Sequence, residues 1–208
     1  AVAGWVAVAT GSAANKGYAG AEKSFVERLV AANPDVIDLE MTLPALAGTR
    51  SAVRVDLVAL EQNGDCWKLV FWEAKMVKNL EARAKGDATP KVVGQQRQYH
   101  NWLDAAGRNN KADVLRAYRQ VCEDLVQINT AVAKSNIGAD LPLLGEGIVA
   151  VAEGAPLTLD GKVRLIIDNT EEDASFEQKG HLAKLRDKEI FVQVVGIDGD
   201  HRLQGPAA

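Results

Sequence analysis

Residues 52–75 read AVRVDLVALEQNGDCWKLVFWEAK, and this stretch decides the predicted fold. Two runs rich in valine, leucine and aromatic residues, Ala52–Leu60 and Cys66–Ala74, are typical of β-strands. The tripeptide NGD at residues 63–65 separates them, and such a turn signal between apolar runs favours a β-hairpin. The stretch therefore predicts two neighbouring antiparallel strands.

The segments on either side of this hairpin predict a mixed α/β domain. Apolar spacing and capping signals predict helices at Ala21–Ala32, Val92–Ala106, Ala112–Lys134 and Asp173–Arg186. Short apolar runs predict further strands at Trp5–Ala9, Val36–Leu43, Ile148–Ala152, Val163–Asp168 and Ile190–Val195. The charged segment 78–91 contains a glycine and a proline and predicts a loop. We expect one domain over residues 1–208.

Two acidic residues and a lysine interrupt the apolar strands of the hairpin. Side chains alternate between the faces of a strand, so Glu73 and Lys75 point the same way, and the hairpin can place Asp56 beside them. Carboxylates in an apolar setting repel each other unless a cation lies between them, and oxygen ligands suit Mg²⁺. The pattern predicts a metal site at Asp56 and Glu73, with Lys75 orienting a water or offsetting phosphate charge. A structural salt bridge between Lys75 and either acid is the alternative.

Two predicted helices carry further polar residues on or beside an apolar face. At about 100° per residue, Glu22 falls in the middle of the apolar stripe within residues 25–30. A metal or its water explains a carboxylate there, and an acid that favours the helix dipole in the first turn is the alternative. Gln95 and Tyr99 are i and i+4 on a later helix, where they can hold a phosphate or a lysine. A core tyrosine with a glutamine at its rim is the alternative.

With these residues in place, the chain resembles the PD-(D/E)XK, or restriction-endonuclease-like, nuclease superfamily over about Ala21–Leu103. The residues that carry the resemblance are Glu22, Asp56, Glu73-Ala74-Lys75, Gln95 and Tyr99. The last pair is similar to the QxxxY motif of RecB-type and Cas4-type nucleases. The segments 21–34 and 54–57 are also similar to Shedu-type and NucS-type nucleases. Val55 stands where the family often has proline.

The resemblance implies a restriction-endonuclease-like core at about residues 21–106, with a helix, a three-stranded mixed sheet, a helix and a further strand, followed by extra helices and strands. It implies a Mg²⁺ site, which Mn²⁺ can also fill, with ligands Asp56, Glu73, the Ala74 carbonyl and Glu22, the last through the metal or its water. Lys75 is then catalytic, and Gln95 and Tyr99 complete the catalytic set. The implied activity is hydrolysis of DNA phosphodiester bonds in repair, phage biology or defence.

The charge distribution argues both against and for a nucleic-acid partner. The net charge is −4, whereas nucleic-acid binders are often basic. Residues 73–97 nevertheless carry a local charge of +3, which can hold a phosphate backbone. The cations of this strip are Lys75, Lys78, Arg83, Lys85, Lys91 and Arg97. A solvated loop is the alternative.

Other functions stay open on the sequence. A catalytically inactive module of the same fold, binding DNA or a protein partner, is favoured by the acidic net charge, and a hydrolase of small phosphoesters is a third candidate. The apolar runs are too short to span a bilayer, so we expect no membrane contact. Cys66 and Cys122 lie far apart without a CxxC motif, as is typical of free thiols in a reducing cytoplasm, so we expect a cytoplasmic protein. DNA is the expected partner, and homodimerisation is left open. We expect His181 and His201 at the surface, and the acidic residues from Asp168 to Asp173 in a solvated loop or helix start.

Overall fold

Helices and strands are mixed along the chain in the computed structural model, which describes residues 19–44, 52–135 and 143–206. The helices are α1 (Ala19–Ala32), α2 (Lys91–Leu103), α3 (Asn110–Lys134), α4 (Glu146–Ala152), α5 (Ser175–Gln178) and α6 (His181–Arg186). The strands are β1 (Val36–Leu43), β2 (Val53–Asn63), β3 (Cys66–Met76), β4 (Leu157–Leu159), β5 (Arg164–Asp168) and β6 (Val192–Val195). The protein is therefore α/β, as the sequence predicts.

The strands form one mixed sheet of six strands in the order β1-β2-β3-β5-β6, with β4 paired to β3. Strands β1 and β2 are antiparallel, whereas β3 runs parallel to β4 and β5, and β5 runs parallel to β6. Parallel neighbours need long crossover connections, and the helices supply them. The parallel strand β5 is buried along its whole length, as expected for a strand covered on both faces.

The chain divides into two compact units, which we call the first unit and the second unit. The described part of the first unit comprises residues 19–32, 72–99 and 162–206. Its buried apolar core is made by Val77, Ala82, Val92, Leu165, Ile167, Phe176, Leu182, Leu185, Ile190 and Val192. Trp72 is fully buried, and the Arg164 guanidinium lies 5.4 Å from the centre of its ring. Trp72 is thus a packing residue of the first unit.

The described part of the second unit comprises residues 33–44, 52–71, 100–135 and 143–161. Here the Tyr118 hydroxyl on α3 donates to Asp38 Oδ2 on β1 at 2.8 Å. Arg119 donates to the carbonyl oxygens of Val151 at 2.7 Å and Ala155 at 2.9 Å, which ties α3 to the end of α4. The Val151 oxygen also accepts from the Gly154 N–H at 3.2 Å. Arg119 therefore adds side-chain hydrogen bonds at a helix end, where carbonyl oxygens have few partners within the helix.

Helix α3 is the longest helix of the described chain and is amphipathic. Its buried positions Val114, Tyr118 and Cys122 recur every four residues, which places them on one face. Exposed residues such as Arg116 and Gln120 alternate with them on the opposite side. In the described part of the chain, no helix is long and apolar enough to cross a membrane, and this includes α3.

Residues 148–152 belong to helix α4, so the strand predicted there is wrong. The apolar run is short, and periodicity alone does not separate a short buried strand from a buried helical turn. Asp35 Oδ1 accepts the backbone N–H groups of Gly147 at 2.8 Å and Ile148 at 3.2 Å. These are first-turn donors that have no partner within their own helix. The helix is therefore stabilised by a carboxylate from a distant segment.

Two further differences concern the C-terminal half, and one prediction at the N-terminus stays untested. The single helix predicted over residues 173–186 is two short helices, because Gly180 between them has φ of 71°, which ends the first one. Strand β4 was not predicted, since its three residues are too few for a pattern. The strand predicted at Trp5–Ala9 lies outside the described residues.

Candidate functional site

Strand β3 places Glu73 and Lys75 on one face of the sheet, within the first unit. Each pairs with a residue of β5, Glu73 with Leu165 and Lys75 with Ile167, so neither lies on a free edge there. Glu73 is only 6% exposed and Lys75 only 5% exposed. Ionised side chains that are buried to this extent need charged or hydrogen-bonding partners, because the loss of hydration costs on the order of several kcal/mol per ion.

The partners of Lys75 are two carboxylates. Lys75 Nζ lies 2.7 Å from Glu73 Oε1 and 3.0 Å from Glu22 Oε1. Glu22 comes from the first turn of α1, and Asn79 Nδ2 donates to its other oxygen at 3.3 Å. One ammonium thus joins a strand carboxylate to a helix carboxylate, and the three side chains together carry a charge of −1 when ionised. We call Glu22, Glu73 and Lys75 the acidic cluster.

Helix α1 is held in position by residues that follow Glu22, through apolar burial and an ion pair. Phe25 and Leu29, on the face that carries Glu22, are fully buried. On the next turn, Arg28 Nη2 donates to Asp168 Oδ2 at 2.6 Å, and Arg28 Nε donates to His201 Nε2 at 3.1 Å. Asp168 ends β5, so this ion pair joins the helix to the strand beside β3.

Asp168 and His181 are buried, and the surface positions expected for them are wrong. Asp168 is 1% exposed and accepts hydrogen bonds at Oδ1 from the backbone and hydroxyl of Thr170. The ring of His181 packs against Phe176 with centroids 5.9 Å apart. The sequence does not reveal either contact. Arg28, the partner of Asp168, is far away in the chain, and no pattern around His181 indicates that its ring packs against Phe176.

Gln95 and Tyr99 lie on α2 in the first unit. Tyr99 is fully buried and Gln95 is half-buried. Gln95 Oε1 is a buried atom that accepts no hydrogen bond from any described residue. Gln96, the next residue, donates to the Val163 carbonyl at 2.6 Å and fixes this part of the helix. Buried acceptors in native proteins are nearly always satisfied, so Gln95 Oε1 is suited to accept from a bound water or ligand.

Asp56 and Ala74 complete the residues singled out by the sequence. Asp56 is half-buried on β2 in the second unit, between Val55, which faces Met41, and Leu57, which faces Leu39. Its convergence with Glu73 stays a prediction. Ala74 is fully buried and pairs with Ile166 of β5, and the role of its carbonyl as a ligand also stays a prediction.

The donor atoms of the acidic cluster determine which metal ion it can hold. In the described residues, no group of three or more His, Cys, Asp or Glu side chains is arranged to hold a metal ion. The cluster itself offers the oxygens of Glu22 and Glu73, a net negative charge and largely buried positions. Hard oxygen donors of this kind fit a cation such as Mg²⁺, which keeps several waters and takes few protein ligands.

The predicted strip of cations is partly neutralised by acids of the same unit. Lys78 forms an ion pair with Glu171, and Arg83 Nη2 lies 2.7 Å from Asp173 Oδ2. Hydrogen bonds from Ser175, assisted by the Arg83 guanidinium, lower the pKa of Asp173 to about 2. With Lys75 in the acidic cluster, the exposed cations of the strip that remain are Lys85, Lys91 and Arg97.

Asn79 and Arg28 are site residues that the sequence did not reveal. Asn79 follows β3 in a turn and contacts Glu22, but a lone asparagine after a strand is a common turn residue. Arg28 is on the exposed side of α1, where an arginine is ordinary.

The chain was compared with protein families, curated proteins and solved structures. No family model, no curated protein and no solved structure matches it.

Proposed function

We propose that the chain is a metal-dependent nuclease that hydrolyses DNA phosphodiester bonds on a restriction-endonuclease-like core. The observation that carries the proposal is the acidic cluster, in which one buried ammonium contacts carboxylates from a strand and a helix. The order helix α1, strands β1 to β3 and helix α2 agrees with such a core. The exposed cations Lys85, Lys91 and Arg97 offer contacts for a phosphate backbone.

In this proposal, the carboxylates of Glu22 and Glu73 take part in holding Mg²⁺, and Mn²⁺ can substitute. When bound, the metal supplies a water of lowered pKa and Lewis-acid stabilisation of charge on the phosphate. Asp56 and the Ala74 carbonyl join the ligand set on the sequence pattern alone. Asn79 keeps the Glu22 carboxylate in place through its hydrogen bond.

Lys75 supplies a fixed positive charge for the phosphate or orients the attacking water. Its ammonium is held by Glu22 and Glu73, so little reorganisation is needed when negative charge develops on the substrate. Gln95 Oε1 is the acceptor that positions a water or an ammonium, since no described residue donates to it. Tyr99 lies one turn further along the same face of α2.

Cleavage of DNA by matched variants tests the proposal. The wild type, Lys75→Ala and Lys188→Ala are incubated with linear and circular DNA in Mg²⁺, Mn²⁺ or EDTA. Lys75→Ala is expected to lower the rate by at least about 100-fold, because it removes a charge that acts on the transition state. Lys188 is exposed, so Lys188→Ala should cleave like the wild type. Full activity of Lys75→Ala would refute the mechanism.

A second variant guards against loss of fold in Lys75→Ala. Glu73→Gln keeps the volume of the side chain and the ammonium beside it, but it weakens the proposed ligand set. Circular dichroism confirms that each variant is folded before its rate is compared. Wild-type cleavage by folded Glu73→Gln would also reject the proposal.

The alternative is a catalytically inactive module of the same fold that binds DNA or a protein partner. It is favoured by the net charge of −4 and by the pairing of Lys75 with two carboxylates, which is also a stable structural arrangement. Titration of Mn²⁺ into the wild type and Glu73→Gln separates the two functions. Equal heats in both proteins, together with DNA binding and no cleavage, would favour the inactive module.

A further inference from the structure

A cavity of about 550 Å³ opens in the first unit, apart from the acidic cluster. Its lining residues are Leu80, Arg83, Ala84, Lys85, Gly86, Lys179, His181 and Lys184. The first five belong to the loop after β3, and the other three belong to the end of α5 and to α6. The volume falls in the range of small-molecule sites, about 300–1,000 Å³. We call this cavity the basic pocket.

The lining of the basic pocket carries excess positive charge. Its described lining residues include one arginine, three lysines and a histidine, and no carboxylate is among them. Arg83 is neutralised by Asp173 at 2.7 Å. Lys184 is held by carbonyl oxygens of the facing loop, at 3.2 Å for Ala84 and also by Gly86, and these carry no formal charge.

The remaining two lysines face solvent at the pocket. Lys85 and Lys179 are both exposed and form no ion pair within the described chain. Together with Lys184, they are three cations of the pocket that have no carboxylate partner among the described residues. Like charges around one cavity repel each other, and a bound anion of more than one charge would relieve that repulsion.

His181 adds a donor to the same wall. Its Nδ1 accepts the backbone N–H of Ala84 at 3.3 Å, so in the neutral ring the proton is on Nε2, which is a donor. Burial, and then the charges of Arg83, Lys184 and Lys179, lower the pKa of His181. The histidine therefore experiences the positive field of the pocket at neutral pH.

We propose that the basic pocket binds a phosphate-bearing ligand of nucleotide size. Lys85, Lys179 and Lys184 provide the charge that a phosphate monoester needs, and lysine is a common binder of phosphate. Leu80, which is 77% exposed at the pocket, offers an apolar contact for the part of the ligand that carries the phosphate. The proposal stands on the basic pocket alone and does not depend on nuclease activity at the acidic cluster.

Binding measurements with matched lysine variants test the basic pocket. The probes are inorganic phosphate, thymidine 5′-monophosphate, thymidine, and a short oligothymidylate with either a 5′-phosphate or a 5′-hydroxyl. The proteins are the wild type, the double variant Lys85→Gln/Lys179→Gln, and the control Lys134→Gln/Lys188→Gln. All four replaced lysines are exposed, so neither double variant should alter the fold.

The expected result is binding of thymidine 5′-monophosphate but not of thymidine, with shifts of the His181 ring resonances in NMR spectra. Lys85→Gln/Lys179→Gln should weaken binding by about tenfold or more, and the control should bind like the wild type. Equally tight binding of inorganic phosphate would assign recognition to the phosphate alone. Preference for the 5′-phosphorylated oligonucleotide over the mononucleotide would assign it to a nucleic-acid end.

Two results would overturn the proposal. One is the absence of any His181 shift with all phosphate-bearing probes. The other is an equal loss of affinity in both double variants, which would reflect the overall charge of the protein rather than the pocket. Because these measurements involve no cleavage, they can fail or succeed independently of the nuclease assay.

Discussion

Replacement of Lys75 by methionine removes the ammonium of the acidic cluster and keeps most of the side-chain volume. Lys75 Nζ lies 2.7 Å from Glu73 and 3.0 Å from Glu22. At an effective dielectric constant of about 20, each contact corresponds to roughly 5–6 kcal/mol of Coulomb attraction, much of which offsets the cost of desolvation. Loss of one partner of a buried ion pair costs about 3–5 kcal/mol. Since the Glu22 side chain is 22% exposed and partly screened, we expect the lower part of that range.

Urea unfolding followed by circular dichroism at neutral pH measures this effect. Lys75→Met should lower the free energy of unfolding by about 3–4 kcal/mol, whereas exposed Lys188→Met should change it by less than about 0.5 kcal/mol. Adding Glu22→Gln to Lys75→Met should recover part of the loss, because it removes the repulsion between Glu22 and Glu73. A loss below about 1 kcal/mol in Lys75→Met would refute the bridging of the Glu22 and Glu73 carboxylates by Lys75.

Three further predictions concern other buried groups. Because burial and nearby cations lower the pKa of His181, the unfolded chain binds its proton more tightly. Stability should therefore fall as the pH drops below about 6.5, and urea unfolding of His181→Gln should show a weaker fall. Burial raises the pKa of the Cys122 thiol to about 11, so a thiol reagent should modify Cys66 in the native protein and Cys122 only after urea unfolding. A Cβ at Gly147 would lie 2.7 Å from the Trp67 ring, so Gly147→Ala should cost about 1–3 kcal/mol in urea unfolding and alter Trp67 fluorescence.

The sequence correctly predicted the elements whose ends are set by residues close to them in the chain. Strand β1 has the predicted bounds, since Asn33-Pro34 ends the preceding helix and Pro44 follows the strand. Helix α1 extends over the predicted segment, and the turn at Gly64 has a positive φ of 60° between β2 and β3. In each case, a proline or glycine restricts or permits a backbone conformation without help from distant residues.

Elements that depend on distant residues were not predictable in the same way. Helix α4 is stabilised by the Asp35 carboxylate, which contacts its first turn from a segment far away in the chain. The break at Gly180 is different, because a glycine in the left-handed conformation is a local helix-ending signal, and the predicted helix over residues 173–186 did not take it into account.

The same distinction holds for the candidate site. Glu22 was found because helical periodicity places it on an apolar face, and Glu73 with Lys75 because strands alternate. Their contacts at 3.0 Å and 2.7 Å are given by the structure. Asn79 and the Arg28–Asp168 pair depend on tertiary contacts, so no local pattern marks them.

The central claim is that the acidic cluster supports metal-dependent cleavage of DNA. The most direct measurement is a time course of cleavage of circular and linear DNA by the wild type and Glu73→Gln, with Mg²⁺ or EDTA. The account predicts cleavage by the wild type in Mg²⁺, none in EDTA, and a rate at least about 100-fold lower for folded Glu73→Gln. Cleavage that persists in EDTA, or that is equal in the two proteins, would contradict it.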